Sequence, residues 1–333
     1  MAAATKTGRK PAAAAAPVTE KKAAALAKPA APNPARKANA KTSVQSKAEP
    51  HQPKPAAPAA KTRPKASNGT AKVKAKTPAI PPYRSDGLIR GPLISDTLQA
   101  FQGWDLEASK RANLDRLRQS NSIGAPTQAW LKKVCGAISS RFDPSGRDRP
   151  LVLAARTTTG QRHWKPLLLW HLANSDRLLG DGLSWSAQIY SAGGDLLQTD
   201  QALAWLEGTG SQDHPEVAAW SEATRKRVAG GLLKAGVDFA LLQGKVKRRF
   251  TAYYLADEPL LYVLLQALAS NRTTAAALAD PRWLWFRLAE AELEHRLLLL
   301  HQAKVISYYR AGSVVDLKLP ANTAEALVQE VWT

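Results

Sequence analysis

Two short clusters of basic residues are the most chemically suggestive feature of the sequence. They consist of Arg225, Lys226 and Arg227, and of Lys245, Lys247, Arg248 and Arg249. An apolar segment with helical spacing separates them. Because phosphates lie in rows along a nucleic acid, several Lys and Arg side chains on one face add up to salt-sensitive affinity. If the two clusters converge on one face, they predict nucleic-acid contact. The alternative is a face that is only solvated.

Two other positions extend this hypothesis. Lys132 and Lys133 share the exposed face of a predicted helix with Gln128, whose amide can read the edge of an adenine. Arg310 follows two tyrosines in a predicted hairpin, and such a group can touch a nucleic-acid backbone or minor groove. A packing role for one of the tyrosines fits the sequence equally well.

Residues that could carry catalysis are scattered. The six histidines lie far apart and form no metal-ligand spacing, and the chain has no glycine-rich phosphate loop, nucleophile elbow or dinucleotide-binding fingerprint. Cys135 lies within a predicted helix beside Val134, which favours a buried apolar residue over a nucleophile. We therefore expect a protein that is not an enzyme, with no metal, no cofactor and no small-molecule substrate.

The positive charge is concentrated at the N-terminus. The chain has 333 residues with 47 Lys and Arg against 27 Asp and Glu, and residues 1–77 hold 17 of the former and 2 of the latter. This segment is rich in Ala, Lys and Pro, so it cannot bury enough apolar surface to offset its ordering entropy. We predict a disordered basic tail over residues 1–84. It is either a solubilising extension or an arm that binds polyanions without specificity.

Cysteine usage and hydropathy indicate a soluble cytoplasmic protein. A single cysteine excludes an intramolecular disulfide and a cysteine-based zinc cluster, which fits a reducing compartment. The most apolar runs, residues 259–269 and 295–306, are too short and interrupted to span a bilayer of about 30 Å. No membrane partner is expected.

The rest of the chain has mainly helical periodicity, which predicts two lobes. In the N-terminal lobe, residues 85–208, three short helices with a basic middle member suggest a helix-turn-helix-like bundle. The last of them, "APTQAWLKKVCGAISSRF", has Thr127 as its cap and places Lys132 and Lys133 opposite the apolar stripe. The Gly-, Asp- and Pro-rich stretch "EGTGSQDHPEVAA" predicts a linker to the second lobe.

The C-terminal lobe, residues 209–333, has a winged-helix-like order. Ser221 is a good cap for its first helix, and "KRRFTAYYLA" has the composition of a strand. A short helix, a turn at Asp280-Pro281 and a long helix follow, and "VISYYRAGSVVDLKL" predicts a short β-hairpin wing.

The order of these elements and several stretches of sequence resemble the BrxA family of bacterial BREX phage-defence systems. The stretches are "AWLKKVCGAISSRF", "PLLLWHLANSDRLLGDGL", "WSEATRKRVAGGLLKAGVDFALLQG", "DPRWLWFRLAE" and "AGSVVDL". The resemblance implies a mainly helical, non-enzymatic protein with winged-helix-like parts that binds DNA beside a methyltransferase and other BREX components. The basic tail departs from that pattern.

These observations favour a DNA-binding accessory protein that grips double-stranded DNA mainly through phosphates. One alternative is a scaffold whose helical faces dock other defence subunits and whose basic residues serve solubility. Another is an RNA-binding helical module, since cationic helices also hold RNA phosphates.

Overall fold

The computed structural model describes residues 82–210, 214–312 and 314–332. The predicted tail therefore lies outside the described residues, apart from residues 82–84, of which Tyr83 is buried. The α-helices are α1 (Ser85–Arg90), α2 (Ile94–Gln102), α3 (Lys110–Ser120), α4 (Gln128–Arg141), α5 (Arg149–Ala154), α6 (Thr158–Arg162), α7 (Trp164–Ser175), α8 (Arg177–Ser191), α9 (Thr199–Gly210), α10 (Pro215–Ala218), α11 (Glu222–Asp238), α12 (Asp257–Ser270), α13 (Thr274–Leu278), α14 (Glu290–Gln302) and α15 (Ala324–Ala326). A 3₁₀-helix spans Pro281–Phe286, and a π-helical turn spans Leu327–Val331.

Five short strands form two antiparallel sheets in the described part of the chain. The strands are β1 (Leu196–Leu197), β2 (Leu242–Gln243), β3 (Arg248–Phe250), β4 (Ser307–Ala311) and β5 (Val314–Lys318). The first sheet has the order β1-β3-β2, and the second is the β4-β5 hairpin, in which Tyr309 pairs with Asp316. The prediction of a mainly helical fold is confirmed, with strands confined to these short pieces.

Two helices form the centre of the hydrophobic core because they are apolar around most of their circumference. In α7, Leu167, Leu168 and Leu169 are fully buried, and in α12 the run 259–265 is buried without interruption. Full burial of each such side chain contributes about 1.5–3 kcal/mol. Helices that are apolar on all sides pack in the interior, so the remaining helices arrange themselves around this pair.

A buried polar chain connects α5, α7 and α12 inside this core. His171 Nδ1 lies 2.5 Å from Asp148 Oδ1, and its Nε2 lies 2.8 Å from the Tyr262 hydroxyl. Arg147 adds an ion pair at 2.8 Å to the second oxygen of the same carboxylate. Burial by itself would raise the pKa of Asp148, but hydrogen bonds from His171 and Arg147 lower it to about 2.

Side-chain caps begin α4 and α11 at the predicted residues. Thr127 accepts a hydrogen bond from the Trp130 amide at the start of α4, and Ser221 accepts one from the Thr224 amide at the start of α11. Each such cap contributes about 1 kcal/mol. Both helices are therefore held at fixed starting points.

Packing joins the two predicted lobes through one core. Buried residues from both sides of position 208 belong to the same hydrophobic cluster, and α1 packs on α11. Gly231 permits this approach, because a Cβ there would lie 2.6 Å from the carbonyl oxygen of Leu88. The division of the chain at 208/209 stays a prediction.

Three local predictions need correction. The described part of the predicted linker is largely helical, because α9 continues to Gly210 and α10 begins at Pro215. The predicted strand at 247–256 is only β3, since residues 251–256 have no regular structure. The long helix begins at Glu290 rather than after Pro281, because the six residues 281–286 form the 3₁₀-helix.

Candidate nucleic-acid interface

Two adjoining recesses form a strongly basic surface, here called the basic groove. The larger recess, of about 870 Å³, lies between α11 on one side and residues 88–96, α4 and α7 on the other. The smaller, of about 510 Å³, lies along α4 and shares Arg90 and Lys133 with the larger one. The charged residues lining the groove are Arg90, Arg118, Lys132, Lys133, Lys165, Arg227, Lys234, Asp96 and Asp238. Seven cations thus face two carboxylates.

Four of the seven cations have no carboxylate within ion-pair distance in the described part of the chain, namely Lys132, Lys133, Lys165 and Arg227. The Lys133 ammonium instead lies over the Trp130 ring, 4.7 Å from its centroid. A cation that no carboxylate neutralises keeps its full attraction for a phosphate. These four side chains are the strongest electrostatic feature of the groove.

The other three cations form pairs with residues on their own helices. Arg90 pairs with Asp86 at 3.2 Å, Arg118 with Asp115 at 2.6 Å, and Lys234 with Asp238 at 2.6 Å. Such partly exposed pairs are worth only about 0.3–0.5 kcal/mol, so a phosphate can compete with the carboxylate for the cation.

The fold of α11 determines which residues of the first basic cluster reach the groove. Arg227, Gly230 and Lys234 recur at helical spacing on the lining face, opposite buried Val228 and Leu232. From Arg227 to Lys234 the helix rises about 10 Å, since each residue adds 1.5 Å. This stripe is therefore long enough to face several phosphates of one strand.

Arg225 and Lys226 do not line the groove. Arg225 donates to Glu207 at 3.0 Å and to the Trp220 carbonyl at 2.6 Å, which fixes it against α9. Lys226 forms an ion pair with Glu222 one turn earlier. Of the first cluster, only Arg227 lines the groove.

The second basic cluster lies beyond the other end of α11. Lys245 and Lys247 are exposed in the turn between β2 and β3, without a carboxylate partner in the described structure. Arg249 pairs with Asp195 at 3.3 Å. Arg248 is half-buried and donates to Thr199 Oγ1 at 3.3 Å, and burial lowers its pKa. No residue of this cluster lines the groove, so the groove does not bring together the two clusters predicted to share one face.

The remaining predicted site residues have different surroundings. Lys132 and Lys133 line the groove, whereas Gln128, the exposed first residue of α4, does not. Arg310 in β4 lies between Glu290 at 3.4 Å and Glu294 at 3.3 Å. The negative charge of Glu294 is the main cause of the raised pKa of Arg310. Arg310 is therefore neutralised by its own helix–hairpin unit.

Sequence reasoning missed Arg90, Arg118, Lys165 and Lys234 as members of the site. The sequence does contain an indication for Lys234, because this residue lies seven positions after Arg227 on the same helical stripe. The sequence contains no indication for Lys165. It is an isolated cation at the start of a buried helix, and only tertiary packing brings it to the groove.

Other functional chemistry is sparse within the described ranges. They contain no group of three or more His, Cys, Asp or Glu able to hold a metal ion, and no helix there is long and apolar enough to cross a membrane. Cys135 is fully buried, as the sequence predicts, and burial raises its pKa.

Comparison with known proteins gives one family. Residues 82–264, more than half of the chain, match the family model described as BrxA. This match covers every residue of the basic groove and the β2–β3 hairpin. Searches of curated proteins and of solved structures found no match.

Proposed function

The chain belongs to the BrxA family, which implies a role in BREX phage defence, and within that role we propose that it is a non-enzymatic DNA-binding accessory protein. It holds double-stranded DNA mainly through phosphates, and the basic groove is its principal contact surface. The observation that carries this proposal is the convergence of seven cations from several helices on one groove with only two carboxylates. Other BREX components, including the methyltransferase, are its expected partners.

The order of elements around α11 supports this proposal. Helix α8, strand β1, helices α9 to α11 and the β2–β3 hairpin follow one another, and their strands form a sheet in the order β1-β3-β2. We interpret this order as that of a winged helix, with α11 in the position of the recognition helix and the hairpin in that of the wing. Lys245 and Lys247 then lie on the wing. The sequence predicts a wing only at residues 305–319.

The surroundings of the nucleophilic and histidine side chains support a role without catalysis. Cys135 is a buried thiol, and such thiols are inert. His171 is enclosed in the buried chain with Asp148 and Tyr262, and His214 stacks on Tyr83 with a centroid separation of 3.5 Å. None of these groups lines the basic groove.

A direct test compares the full-length protein with a variant whose groove cations are neutralised. Fluorescence anisotropy with duplex DNA, single-stranded DNA and duplex RNA, over a range of salt concentrations, measures affinity and its salt dependence. Changing Lys132, Lys133, Lys165 and Arg227 to Gln should weaken duplex binding. It should also reduce the slope of log K against log salt by about 0.9 for each phosphate that the protein no longer neutralises.

The matched control changes four exposed cations outside the groove to Gln, namely Arg162, Arg272, Lys304 and Lys318. It alters the net charge by the same amount, so it should bind nearly as tightly as the parent. Equal weakening of both variants would mean that net charge, not the groove, determines binding. Preference for duplex RNA would favour the RNA-binding alternative, and no binding of any nucleic acid would favour the scaffold.

A further inference from the structure

Two glycines inside helices line the basic groove although no packing contact requires them. Gly230 lies in the middle of α11 and Gly136 in the middle of α4, and a Cβ at either position would meet no described atom within 4 Å. Glycine inside a helix costs about 0.5–1 kcal/mol relative to alanine. The neighbouring Gly231 differs, because the Leu88 carbonyl leaves no room for a Cβ there. Packing thus explains Gly231 but not the other two.

The open space above these glycines lies beside the unpaired cations. Gly230 follows Arg227 by three residues, and Gly136 follows Lys133 by three, so each glycine lies about one turn from a groove cation. A glycine at such a position lets the backbone of a ligand approach the helix surface closely. The ligand group at closest approach then lies within reach of the flanking cations.

The polar side chains of the larger recess that could accept a hydrogen bond from a base are mostly engaged. Asp96 accepts a hydrogen bond from Trp130 Nε1 at 2.8 Å, and Asp238 is paired with Lys234. Of the lining residues, Ser95 retains an exposed hydroxyl. The surface is therefore rich in cations for phosphates and poor in free acceptors for the amino groups of adenine and cytosine.

From this arrangement we propose that the basic groove receives one sugar–phosphate strand of a duplex edge-on, with Gly230 and Gly136 as the points of closest approach, and that it does so independently of base sequence. This inference rests on the proposed DNA binding. The strand lies between the cations of α4 and α11. Glycine at these positions gives the ligand room to approach the helices, and the fold itself does not need it.

The test uses the full-length protein and short duplexes of at least three unrelated sequences. Gly230→Glu places a carboxylate and added bulk in the groove, and its Cβ meets no described atom within 4 Å. Gly230→Ala adds only a methyl group. Gly103→Glu is the matched control, because Gly103 is exposed, equally free of neighbours among the described residues, and absent from the groove lining. Both Glu variants change the net charge by the same amount.

We expect Gly230→Glu to lower duplex affinity by about tenfold or more, since a like charge faces the phosphates. Gly103→Glu should retain the affinity of the parent. Gly230→Ala should melt at the same temperature as the parent or higher, and the three duplexes should bind within about threefold of one another, because phosphate contacts carry no sequence information. If Gly230→Glu does not melt cooperatively, Gly136→Glu supplies the same test from the other wall.

Three results would overturn the proposal. Equal affinity of Gly230→Glu and the parent would show that no strand approaches α11 closely at Gly230, whereas the groove cations would still hold phosphates, so the proposed function would stand. A preference of more than about tenfold for one duplex would show base readout, contrary to contacts made through phosphates alone. Failure of the parent protein to bind any duplex would overturn the proposed function, and the inference with it.

Discussion

Two segments of the chain have a similar order of helices and end in a β-hairpin, although only the first contains an additional strand, β1, and their surface chemistry is opposite. In residues 177–250 and again in 257–318, a long helix is followed by shorter helical pieces, a further helix and a β-hairpin. The last helix of the first segment, α11, carries four Lys and Arg against two Asp and Glu, whereas its counterpart α14 carries one Arg against three Glu. The helix before the hairpin therefore carries mainly cations in the first segment and mainly carboxylates in the second.

The hairpins of the two segments differ in the same direction. The turn between β2 and β3 has two exposed lysines without partners among the described residues, while Arg310 in β4 is held by two glutamates of α14. The second segment also exposes more large apolar side chains, including Leu299, Tyr309 and Val314, than the first, which exposes Tyr190 and Val246. Element order alone does not identify a nucleic-acid surface; the partners of each cation do.

The largest expected effect concerns the core that both segments share. Asp148→Asn removes the charge that holds His171 and Arg147, and breaking such a buried pair costs about 3–5 kcal/mol. Because α12 is linked to α7 through Tyr262 and His171, we expect a much lower melting temperature. A melt monitored by circular dichroism measures it. A change confined to one of two separate transitions would mean that the segments unfold independently.

The same carboxylate predicts a dependence on pH. Its pKa is about 2 in the folded protein and 3.8 as the ordinary value, so its contribution to stability is present above pH 4 and is lost as the pH falls towards 2. This contribution amounts to about 2 kcal/mol. Thermal melts between pH 5 and 2 should therefore fall more steeply for the parent than for Asp148→Asn. Parallel curves would assign the acid sensitivity to other groups.

The next effect separates the two segments in binding. Arg227→Gln should weaken duplex binding and lower the slope of log K against log salt by about 0.9, because the variant has one unpaired groove cation fewer. Arg310→Gln should leave affinity and slope unchanged, since Glu290 and Glu294 already neutralise that guanidinium. Titrations of the two single variants side by side measure the contrast. Comparable weakening would restore the wing at 307–318 as a contact surface.

A smaller effect is expected at the first hairpin. Changing Lys245 and Lys247 to Gln should weaken binding less than neutralising the groove cations, because these lysines are exposed and lie beyond the end of α11. The control is the matching change of Lys304 and Lys318 in the second segment. Anisotropy at low salt, where exposed charges are least screened, gives the best resolution. Identical titrations for the two double variants would exclude the first hairpin from the interface.

Local patterns predicted the helices well and the groove only in part. The cap and stripe of α4 and α11 determine which residues point outward, so Lys132, Lys133 and Arg227 could be selected from the sequence. Ion pairing could not be read in the same way for Arg310, whose partners lie 16 and 20 residues away. Contributions such as that of Lys165 depend on how distant helices pack, which no local pattern contains.

The smallest effect concerns the apolar side chains of the second segment. Tyr309 and Val314 are 65% and 66% exposed, and the pairing of Tyr309 with Asp316 and of Ala311 with Val314 places both on the outer face of the hairpin. Replacing both with Ser should change the free energy of unfolding by less than about 0.5 kcal/mol, because surface substitutions remove little packing. Duplex binding should also be unchanged.

The corresponding change of buried Tyr308 to Ser should be clearly destabilising, since its ring is enclosed and its hydroxyl donates to Glu294 at 3.0 Å. If the outer-face variant melts much lower than the parent, contacts on both faces stabilise the hairpin. The exposed apolar side chains of the second segment then serve packing within the protein.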